Sequence, residues 1–393
     1  PTDDSNRYFE RANTLAPNVK WFGATGDGVT DDTTAIQATF DLRRGVFFPK
    51  GTYSITDTID VGTNSAACNQ SRFQCESQGT KIVGTAGMAG LPMFRIEGGA
   101  IQQYGNHFEG FRLDLNGAGI GIDFLRGSTT SSINKIRIED SSSTSGSIGV
   151  RVYNSFNITL TDIQTVGING NAVKYVARSA EAGFPNLTNN KISNGILQNQ
   201  GASEIVNLVE YDLDNAADTA TIENVALKAD AVGSNCVYVD GFINQLKLDT
   251  LHIESSNTGI TTTSGNTVYM SIKDCIFTNV GNCLDIQGAG DIWWSGNRCV
   301  NGSGNFVFTN LSSDLYINGP LLVASGSYDV TIQAGTGKVR RTERRWIETG
   351  TSRTLDAVED NTIFFNGGGT LNLTLPATQD VGAGFKTAVL HRG

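Results

Sequence analysis

The sequence is poor in proline and in charge, and these shortages exclude several classes of protein. Proline accounts for 7 of 393 residues and charged residues for 17%, whereas disordered chains are rich in both. The formal net charge is −10, and nucleic-acid binding needs clustered Lys and Arg. No apolar run reaches the roughly 18 residues of a membrane span, and no signal peptide opens the chain. We therefore expect neither nucleic acid nor a membrane as a partner.

Cysteine is also scarce, with 6 residues. They form no CxxC pair and no Cys/His spacing of a zinc site, so we expect no metal and no cofactor. Cys68 and Cys75 lie seven apart in a polar segment and are able to close a small disulfide, a state that the sequence leaves open. Cys275 and Cys299 occupy apolar, inward-facing positions, which indicates buried thiols that pack as small hydrophobes.

Short strands recur from residue 120 to residue 332. Each begins with an apolar-x-apolar triplet, and the triplets start at Ile122, Val150, Val173, Val209, Val237, Ile260, Leu284, Phe306 and Val330. A second apolar series runs in step with them: Ile133, Ile158, Ile192, Ile222, Leu246, Met270, Ile292 and Leu315. Most spacings lie in the twenties, which indicates a solenoid. Because Gly, Asn, Ser and Asp separate the strands and no helical pattern intervenes, we predict an all-β parallel β-helix.

A different pattern precedes the repeats. Residues 21–37 read WFGATGDGVTDDTTAIQ, in which glycines mark a tight loop and Thr30 or Asp31 is a suitable N-cap for a short helix. No GK[ST] follows the glycines, which disfavours a phosphate loop, and no liganding Glu completes a calcium loop. The segment GVFFPKGTYSI then supplies two strands around a turn.

These two motifs, at residues 21–55, resemble the N-terminal fingerprint of the pectate-lyase-like right-handed β-helix superfamily, in particular its bacteriophage tailspike depolymerase branch. The resemblance implies a right-handed β-helix whose N-terminal cap contains structural Asp27, Asp31 and Asp32. It also implies a homotrimer, assisted by a small β domain after the helix.

Four segments follow from the pattern changes. Residues 1–20 are a polar lead-in or neck, 21–60 the cap, 61–338 the β-helix, and 339–393 an antiparallel-looking C-terminal β segment that reads as truncated. The chain starts at Pro1 rather than Met. We therefore expect a missing N-terminal part that joins a phage tail or baseplate.

The strand register predicts outward columns of side chains. One column runs Asp123, Arg151, Lys174, Glu210, Tyr238, Thr261, Asp285, and the next runs Leu125, Tyr153, Val176, Asp212, Asp240, Thr263, Gln287. Since coils stack at about 4.8 Å, Glu210, Asp212 and Asp240 are predicted to be neighbours. Close carboxylates repel, so one is expected to keep its proton to higher pH. A protonated acid beside an ionised base or nucleophile is the arrangement of a glycosidase, so these three are the predicted catalytic residues.

Other side chains are candidates for substrate binding. Tyr238 is able to stack on a sugar face, and a longer turn over residues 178–190 stands beside the acidic strand as a wall. The full predicted binding set is Tyr238, Lys174, Arg178, Asp214, Glu181, His252, Glu254 and Trp293. The alternative for the charged positions is an alternating ladder of ion pairs, and for the outward Trp293 a contact between chains.

The expected function is a virion-tail protein, outside the cell, that binds and endo-hydrolyses a bacterial surface polysaccharide: capsule, exopolysaccharide or O-antigen. A lyase on the same fold remains open, because His252 and Glu254 lie near Lys228 and Arg298, and such groups are able to abstract a proton beside a uronate carboxylate. A secreted pectinase-type enzyme and a non-catalytic glycan-binding tail protein are further alternatives. The glycan, the bond and the stereochemistry stay undetermined.

Overall fold

The computed structural model describes residues 16–62, 71–77, 79–98, 103–179, 187–199, 207–214, 216–230, 233–255, 257–263, 268–288 and 290–300, together with strand segments between residues 305 and 391. Strands dominate these regions. The described helices are one α-helix, Thr33–Phe40, and two 3₁₀ turns, Val19–Phe22 and Ala86–Met88. No helix in the described part of the chain is long and apolar enough to cross a membrane.

The strands stack in three parallel columns, here called the first, second and third sheets. The first sheet contains Ile59–Gly62, Pro92–Glu97, Ile120–Leu125, Ile148–Tyr153, Val173–Ala177, Asn207–Leu213, Asn235–Asp240, Thr258–Thr262, Asn282–Ile286, Asn305–Phe308 and Val330–Ile332. Each strand pairs with the strand one coil away along the chain. Parallel pairing of this kind, with right-handed connections, is the predicted right-handed β-helix.

The second and third sheets follow the first in every coil. The second contains Val46–Phe48, Arg72–Cys75, His107–Glu109, Ser132–Asn134, Thr159–Thr161, Ile243–Asp249, Val268–Lys273, Ile292–Ser295, Leu315–Asn318 and Val339–Arg341. The third contains Asp27–Asp31, Thr52–Ser54, Lys81–Val83, Arg112–Asp114, Arg137–Glu139, Gln164–Val166, His252–Ser255, Ile276–Thr278, Arg298–Val300 and Leu322–Val323. Two long strands, Asn190–Gln198 and Ala217–Ala229, run through both sheets. A short pair outside these columns joins Gln103–Tyr104 to Ser128–Thr129.

The core is the apolar interior that the three sheets enclose. The triplet residues from Ile122 to Leu284 are fully buried, and consecutive ones are register partners, as their spacing predicts. The second series is confirmed at four of its seven steps, and the other three differ by two residues. Leu160, rather than Ile158, pairs with both Ile133 and Ile192, and Ile222 pairs with Leu248 rather than Leu246. Since a shift of two keeps the same face inward, hydrophobicity cannot distinguish these registers.

A left-handed turn of constant shape joins the second sheet to the third. One residue per coil there has φ between 51° and 54°, and these residues are Lys135, Asp162, Asn194, Asn224, Thr250 and Asp274. Asn and Asp tolerate this conformation better than other side chains. The side-chain amide of Asn224 also donates a hydrogen bond to the side-chain oxygen of Asn194 at 2.6 Å. Turns on adjacent coils are therefore linked by their side chains.

The N-terminal cap differs slightly from its prediction. The helix begins at Thr33 with Asp32 at the N-cap position, rather than after Thr30 or Asp31. The Asp32 carboxylate makes no cap bond, because it accepts hydrogen bonds from the backbone N–H groups of Thr25 and Gly26 at 2.6 and 3.1 Å. It therefore holds the glycine loop closed. Phe40 from the helix packs on Phe73 at 4.8 Å and covers the end of the core.

The strand pairing adds one detail about the predicted cap and corrects one prediction about the C-terminal segment. Val46–Phe48 and Thr52–Ser54, predicted as cap, already pair with the coil strands Arg72–Cys75 and Lys81–Val83. The C-terminal segment was predicted to be antiparallel, and this is wrong, since all its described strand pairs are parallel. Arg345–Glu348, Thr362–Asn366 and Thr387–His391 form one parallel sheet, and Arg353–Thr354 pairs with Leu373–Thr374. The intervals between paired strands exceed the dozen residues that a parallel crossover needs.

The cysteines on inward positions behave as predicted. Cys275 and Cys299 are buried, as are Cys236 and Cys283. Burial raises the pKa of the Cys275 thiol to about 12, which keeps it protonated. Cys68 lies outside the described residues, so its disulfide with Cys75 stays a prediction.

Candidate functional site

The predicted acidic residues lie on the outer face of the first sheet, in the predicted columns. Lys174, Glu210 and Tyr238 are consecutive register partners. Asp212 and Asp240 are register partners in the next column, at the ends of their strands. The backbone therefore brings Asp212 and Asp240 onto adjacent coils, about 4.8 Å apart.

Glu210 is held from three directions. Its Oε2 accepts hydrogen bonds from the side-chain amides of Asn171 and Asn207 at 2.9 and 3.1 Å. Its Oε1 accepts from the Lys174 ammonium at 2.8 Å. Asn207 is part of a ladder of amides that continues through Asn235 and Asn257 on later coils. A carboxylate bonded in this way anchors the start of the first-sheet strands.

Asp212 is an ionised carboxylate between two cations. Its side chain pairs with Arg178 at 2.7 Å and with Lys174 at 3.2 Å. Burial by itself raises the pKa of Asp212, but the hydrogen bond from Arg178 and the charge of Lys174 outweigh it, so the pKa lies below its ordinary value. Asp212 is therefore not the carboxyl group of the predicted cluster that keeps its proton to higher pH, because the Lys174 ammonium lies between it and Glu210 and contacts both.

Asp240 has different surroundings from Asp212, although one coil separates them. It is exposed, and its Oδ1 accepts a hydrogen bond from the Thr263 hydroxyl at 2.7 Å. Tyr238 lies on the same strand and is half-buried. Burial, followed by the charges of Asp240, Glu210 and Asp212, raises the Tyr238 pKa. Its hydroxyl therefore stays protonated at neutral pH and is available as a donor beside the two carboxylates.

The longer turn predicted over residues 178–190 is attached to this face at its first residues. Arg178 contacts Asp212 directly, and Asp214 accepts a hydrogen bond from the backbone N–H of Ser179 at 2.7 Å. Asp214 is thereby a support of the turn. Glu181 lies outside the described residues, so its predicted role stays a prediction.

His252 and Glu254 lie elsewhere, on the third sheet. The His252 Nε2 is 3.1 Å from the Thr278 hydroxyl. The Glu254 carboxylate is 3.8 Å from the Lys228 ammonium and accepts a hydrogen bond from Asn279 at 3.3 Å. The structure therefore does not bring this pair together with the first-sheet carboxylates.

Trp293 lies on the second sheet. It points outward with 44% of its surface exposed, while the next residue, Trp294, is buried, as the alternation predicts. It borders a cleft of about 440 Å³ that is lined by Asp218, Thr219, Asn244, Gln245, Tyr269, Met270, Ser271 and Trp293. Of these the sequence singled out Trp293 alone. The available signal was that Tyr269 and Trp293 flank members of the second apolar series and must therefore point outward.

The charged ladder of the first sheet is present beside the candidate site. Arg151 makes a bidentate pair with Asp123 at 2.8 and 2.6 Å, and Arg95 makes another with Asp60 at 2.7 and 3.0 Å. No group of three or more His, Cys, Asp or Glu side chains within the described ranges is placed to hold a metal ion. The outward side chains described on this face are carboxylates, cations and a phenol.

Sequence comparison places the repeats in a known group. Residues 16–221, just over half of the chain, match the family described as "Rhamnogalacturonase A/epimerase, pectate lyase-like". A probable glucan endo-1,3-beta-glucosidase of Arthroderma benhamiae is 45% identical over 73 residues, which are 16% of this chain. The chain spans only 6% and 8% of the length of the two curated relatives that it matches first.

Solved structures share the fold at low sequence identity. A mutant tailspike protein of E. coli bacteriophage HK620, in complex with a pentasaccharide, has a TM-score of 0.58 at 11% identity, over 97% of this chain and 83% of that one. The tailspike of Acinetobacter phage vb_AbaP_AS12 has 0.56 at 13%, over 84% and 63%. Tailspike protein 3 of bacteriophage CBA120 has 0.52 at 13%, over 95% and 61%.

Proposed function

The chain belongs to the rhamnogalacturonase A/epimerase, pectate lyase-like family, and from this premise we propose that it is a phage tailspike that binds and endo-hydrolyses a bacterial surface polysaccharide. The fold is shared with three tailspike proteins, one of which is described in complex with a pentasaccharide. A continuous stack of coils offers an extended glycan a long linear surface. The proposal places the protein in the virion tail, outside the cell.

The observation that carries the proposal is the pairing of Asp212 with Asp240 on adjacent coils in unequal surroundings. A glycosidase needs one ionised carboxylate and one carboxylic acid that flank the scissile bond. Asp212, which Arg178 and Lys174 keep ionised, serves as the base or nucleophile. Asp240, which lies on the adjacent coil in register with Asp212, is assigned the role of proton donor to the leaving oxygen. Tyr238 donates a hydrogen bond to the substrate from the same strand.

This assignment narrows the predicted catalytic set. Glu210 becomes a positioning residue, because Asn171 and Asn207 hold its carboxylate in place. The carboxylate accepts a hydrogen bond from Lys174, which in turn contacts Asp212. Arg178 positions Asp212 from the other side. His252 and Glu254, which lie on the third sheet, take no part in the proposed reaction.

The test is incubation of the protein with purified capsule or O-antigen of candidate hosts, followed by size-exclusion chromatography and mass spectrometry. We expect shorter saturated oligosaccharides. Asp212→Asn and Asp240→Asn are each expected to reduce the rate by at least about a hundredfold. Both variants are expected to remain folded, with a lower melting temperature in Asp212→Asn because two ion pairs are lost. Asp249→Asn is the matched control, since Asp249 is an outward, ion-paired residue of the second sheet.

Other outcomes identify the alternatives. Products that absorb in the ultraviolet indicate a lyase, and a glycan that binds without loss of length indicates a non-catalytic tail protein. Full activity in both folded Asp variants contradicts the proposed pair.

A further inference from the structure

The cleft on the second sheet is distinct from the carboxylate pair on the first. Its lining comes from four successive coils, through the strands Ala217–Ala229, Ile243–Asp249, Val268–Lys273 and Ile292–Ser295. Three steps between coils amount to about 14 Å along the axis. The cleft is therefore elongated in the direction of the coil stack and is longer than a single sugar ring.

Trp293 forms a flat wall at one end of the cleft. Its ring stacks on Tyr316 of the next coil, with ring centres 5.6 Å apart and planes 8° apart. Its register partner on the preceding coil is Ser271, which also lines the cleft. Tyr316 thus covers one face of the indole, and the short Ser271 side chain leaves space over the other. An indole face held rigid and open in this way suits the apolar face of a sugar ring.

The opposite part of the cleft carries hydrogen-bonding groups. The Asp218 carboxylate accepts from the Asn244 amide at 3.0 Å and from the Thr188 hydroxyl at 3.2 Å. Asn244 and Gln245 are both exposed. A carboxylate with neighbouring amides presents acceptors and donors together, which is the pattern that vicinal hydroxyls need. Tyr269, also exposed, lies between this polar part and Trp293.

The charge of the lining restricts the ligand. Among the eight residues that border the cleft, Asp218 is the one with a charged side chain. Lys247, the register partner of Ser271, is paired with Asp249 at 3.3 Å and is not among the lining residues. An anionic sugar or a phosphate would therefore meet the Asp218 carboxylate without a cation in the lining, whereas a neutral sugar would meet no like charge. The combination of a flat indole, amides and one carboxylate is selective for uncharged, hydroxyl-rich rings.

We infer that this cleft is a second glycan-binding site, which takes a segment of neutral sugars whose chain runs along the coil axis. It shares only the class of ligand with the proposed function, since binding here requires no cleavage. The site would hold a polymer on the second sheet while the adjacent face acts on another part of it, and two linked contacts raise the apparent affinity.

Affinity electrophoresis tests the inference with the full chain in gels that contain laminarin, dextran or galactomannan, all neutral, or polygalacturonate, which is anionic. The Asp240→Asn variant is used throughout, so that cleavage does not affect migration. We expect retardation in at least one neutral gel, and about a tenfold loss of affinity in Trp293→Ala. Trp293→Phe retains most of the affinity, because a flat ring remains. Tyr104→Ala is the matched control, since Tyr104 is an exposed aromatic far along the chain from the cleft.

Each other result contradicts the inference. Retardation that is equal in Trp293→Ala and Tyr104→Ala, or that occurs in polygalacturonate alone, removes the cleft as a neutral-sugar site, as does no retardation in any neutral gel. If Trp293→Ala changes the sedimentation coefficient but leaves glycan binding unchanged, the indole contacts another copy of the chain and not a sugar. Failure of the proposed hydrolysis is observed separately, as an unchanged size of polysaccharide treated with the unmodified protein.

Discussion

At the scale of single residues, charged side chains on the coil surface are bonded between coils rather than simply hydrated. Glu139 shows this most clearly. Its carboxylate contacts Arg112 at 2.9 Å, Arg137 at 3.0 Å and Lys81 at 3.2 Å. Burial by itself raises the Glu139 pKa, but hydrogen bonds from these three cations outweigh it, and the pKa lies below its ordinary value of 4.5. A network of this kind contributes more than an isolated surface pair.

The stability of the fold should therefore depend on pH through Glu139. A carboxylate with a lowered pKa in the folded state stabilises the fold above its unfolded pKa, and this contribution is lost as pH falls through the folded pKa. We expect the free energy of unfolding to decrease between about pH 5 and pH 3, and to decrease less in Glu139→Gln. Denaturant titrations at each pH measure this. The control is Asp230→Asn, because the Asp230 carboxylate is 3.8 Å from the Lys228 ammonium, a longer contact than any of the three that Glu139 makes. An equal pH dependence in all three proteins would contradict the assignment.

At the scale of the element, the corner between the first and second sheets depends on Gly241. Its φ is +137°, and a Cβ atom there would lie 2.4 Å from the Leu213 carbonyl oxygen and 2.4 Å from the Leu213 Cβ of the preceding coil. The coils approach so closely at this point that only a hydrogen fits. Asp240 precedes this corner directly, so the corner also sets where the proposed acid stands.

Gly241→Ala is expected to lower the free energy of unfolding by about 3 kcal/mol, because backbone strain and overpacking act together. Thermal and urea denaturation measure the loss. Gly90→Ala is the matched control, since Gly90 has a φ of +78° but nothing within 4 Å of the added Cβ, and we expect a loss of about 1 kcal/mol there. Equal losses of free energy of unfolding in the two variants would mean that the positive φ, and not the close approach of Leu213, makes alanine unfavourable at position 241.

At the scale of the whole molecule, one exposed apolar column suggests how copies associate. Ile196, Ala226, His252 and Ile276 are successive register partners on the third sheet. Ile196 and Ile276 are 44% and 41% exposed. We propose that the protein forms a homotrimer through this column, and that His252 is part of that contact rather than of a sugar site.

Sedimentation equilibrium is expected to give three times the chain mass of 41.9 kDa. The double substitution Ile196→Glu and Ile276→Glu places like charges at the contact and should shift the protein toward monomers, because burying unpaired charges is costly. Val29→Glu, on the exposed N-terminal strand, should leave the mass unchanged. A monomeric unmodified chain, or a trimer that the double variant leaves intact, would rule out this contact.

Much of the fold was predictable because each coil repeats the same physical requirement. Alternate residues must enter one continuous core, so the triplets from Ile122 to Val330 and the outward columns beside them follow from spacing alone. The prediction failed where two different arrangements bury the same apolar residues. A slip of two residues at Leu160 and Leu248 buries the same face, and parallel strands in residues 345–391 have the same alternation as antiparallel ones.

The sequence by itself determined the solenoid, its first-sheet register and the placement of Asp212 beside Asp240, because these depend on the order of apolar and polar residues along the chain. Only the tertiary structure decided the charge state of Asp212 and the existence of the cleft. The Asp212 pKa depends on where the ends of Arg178 and Lys174 lie, and the cleft depends on Trp293 and Tyr269, which are distant in sequence from Asp218. Electrostatic and cavity properties arise from distances between side chains on different coils, and no local pattern specifies those distances.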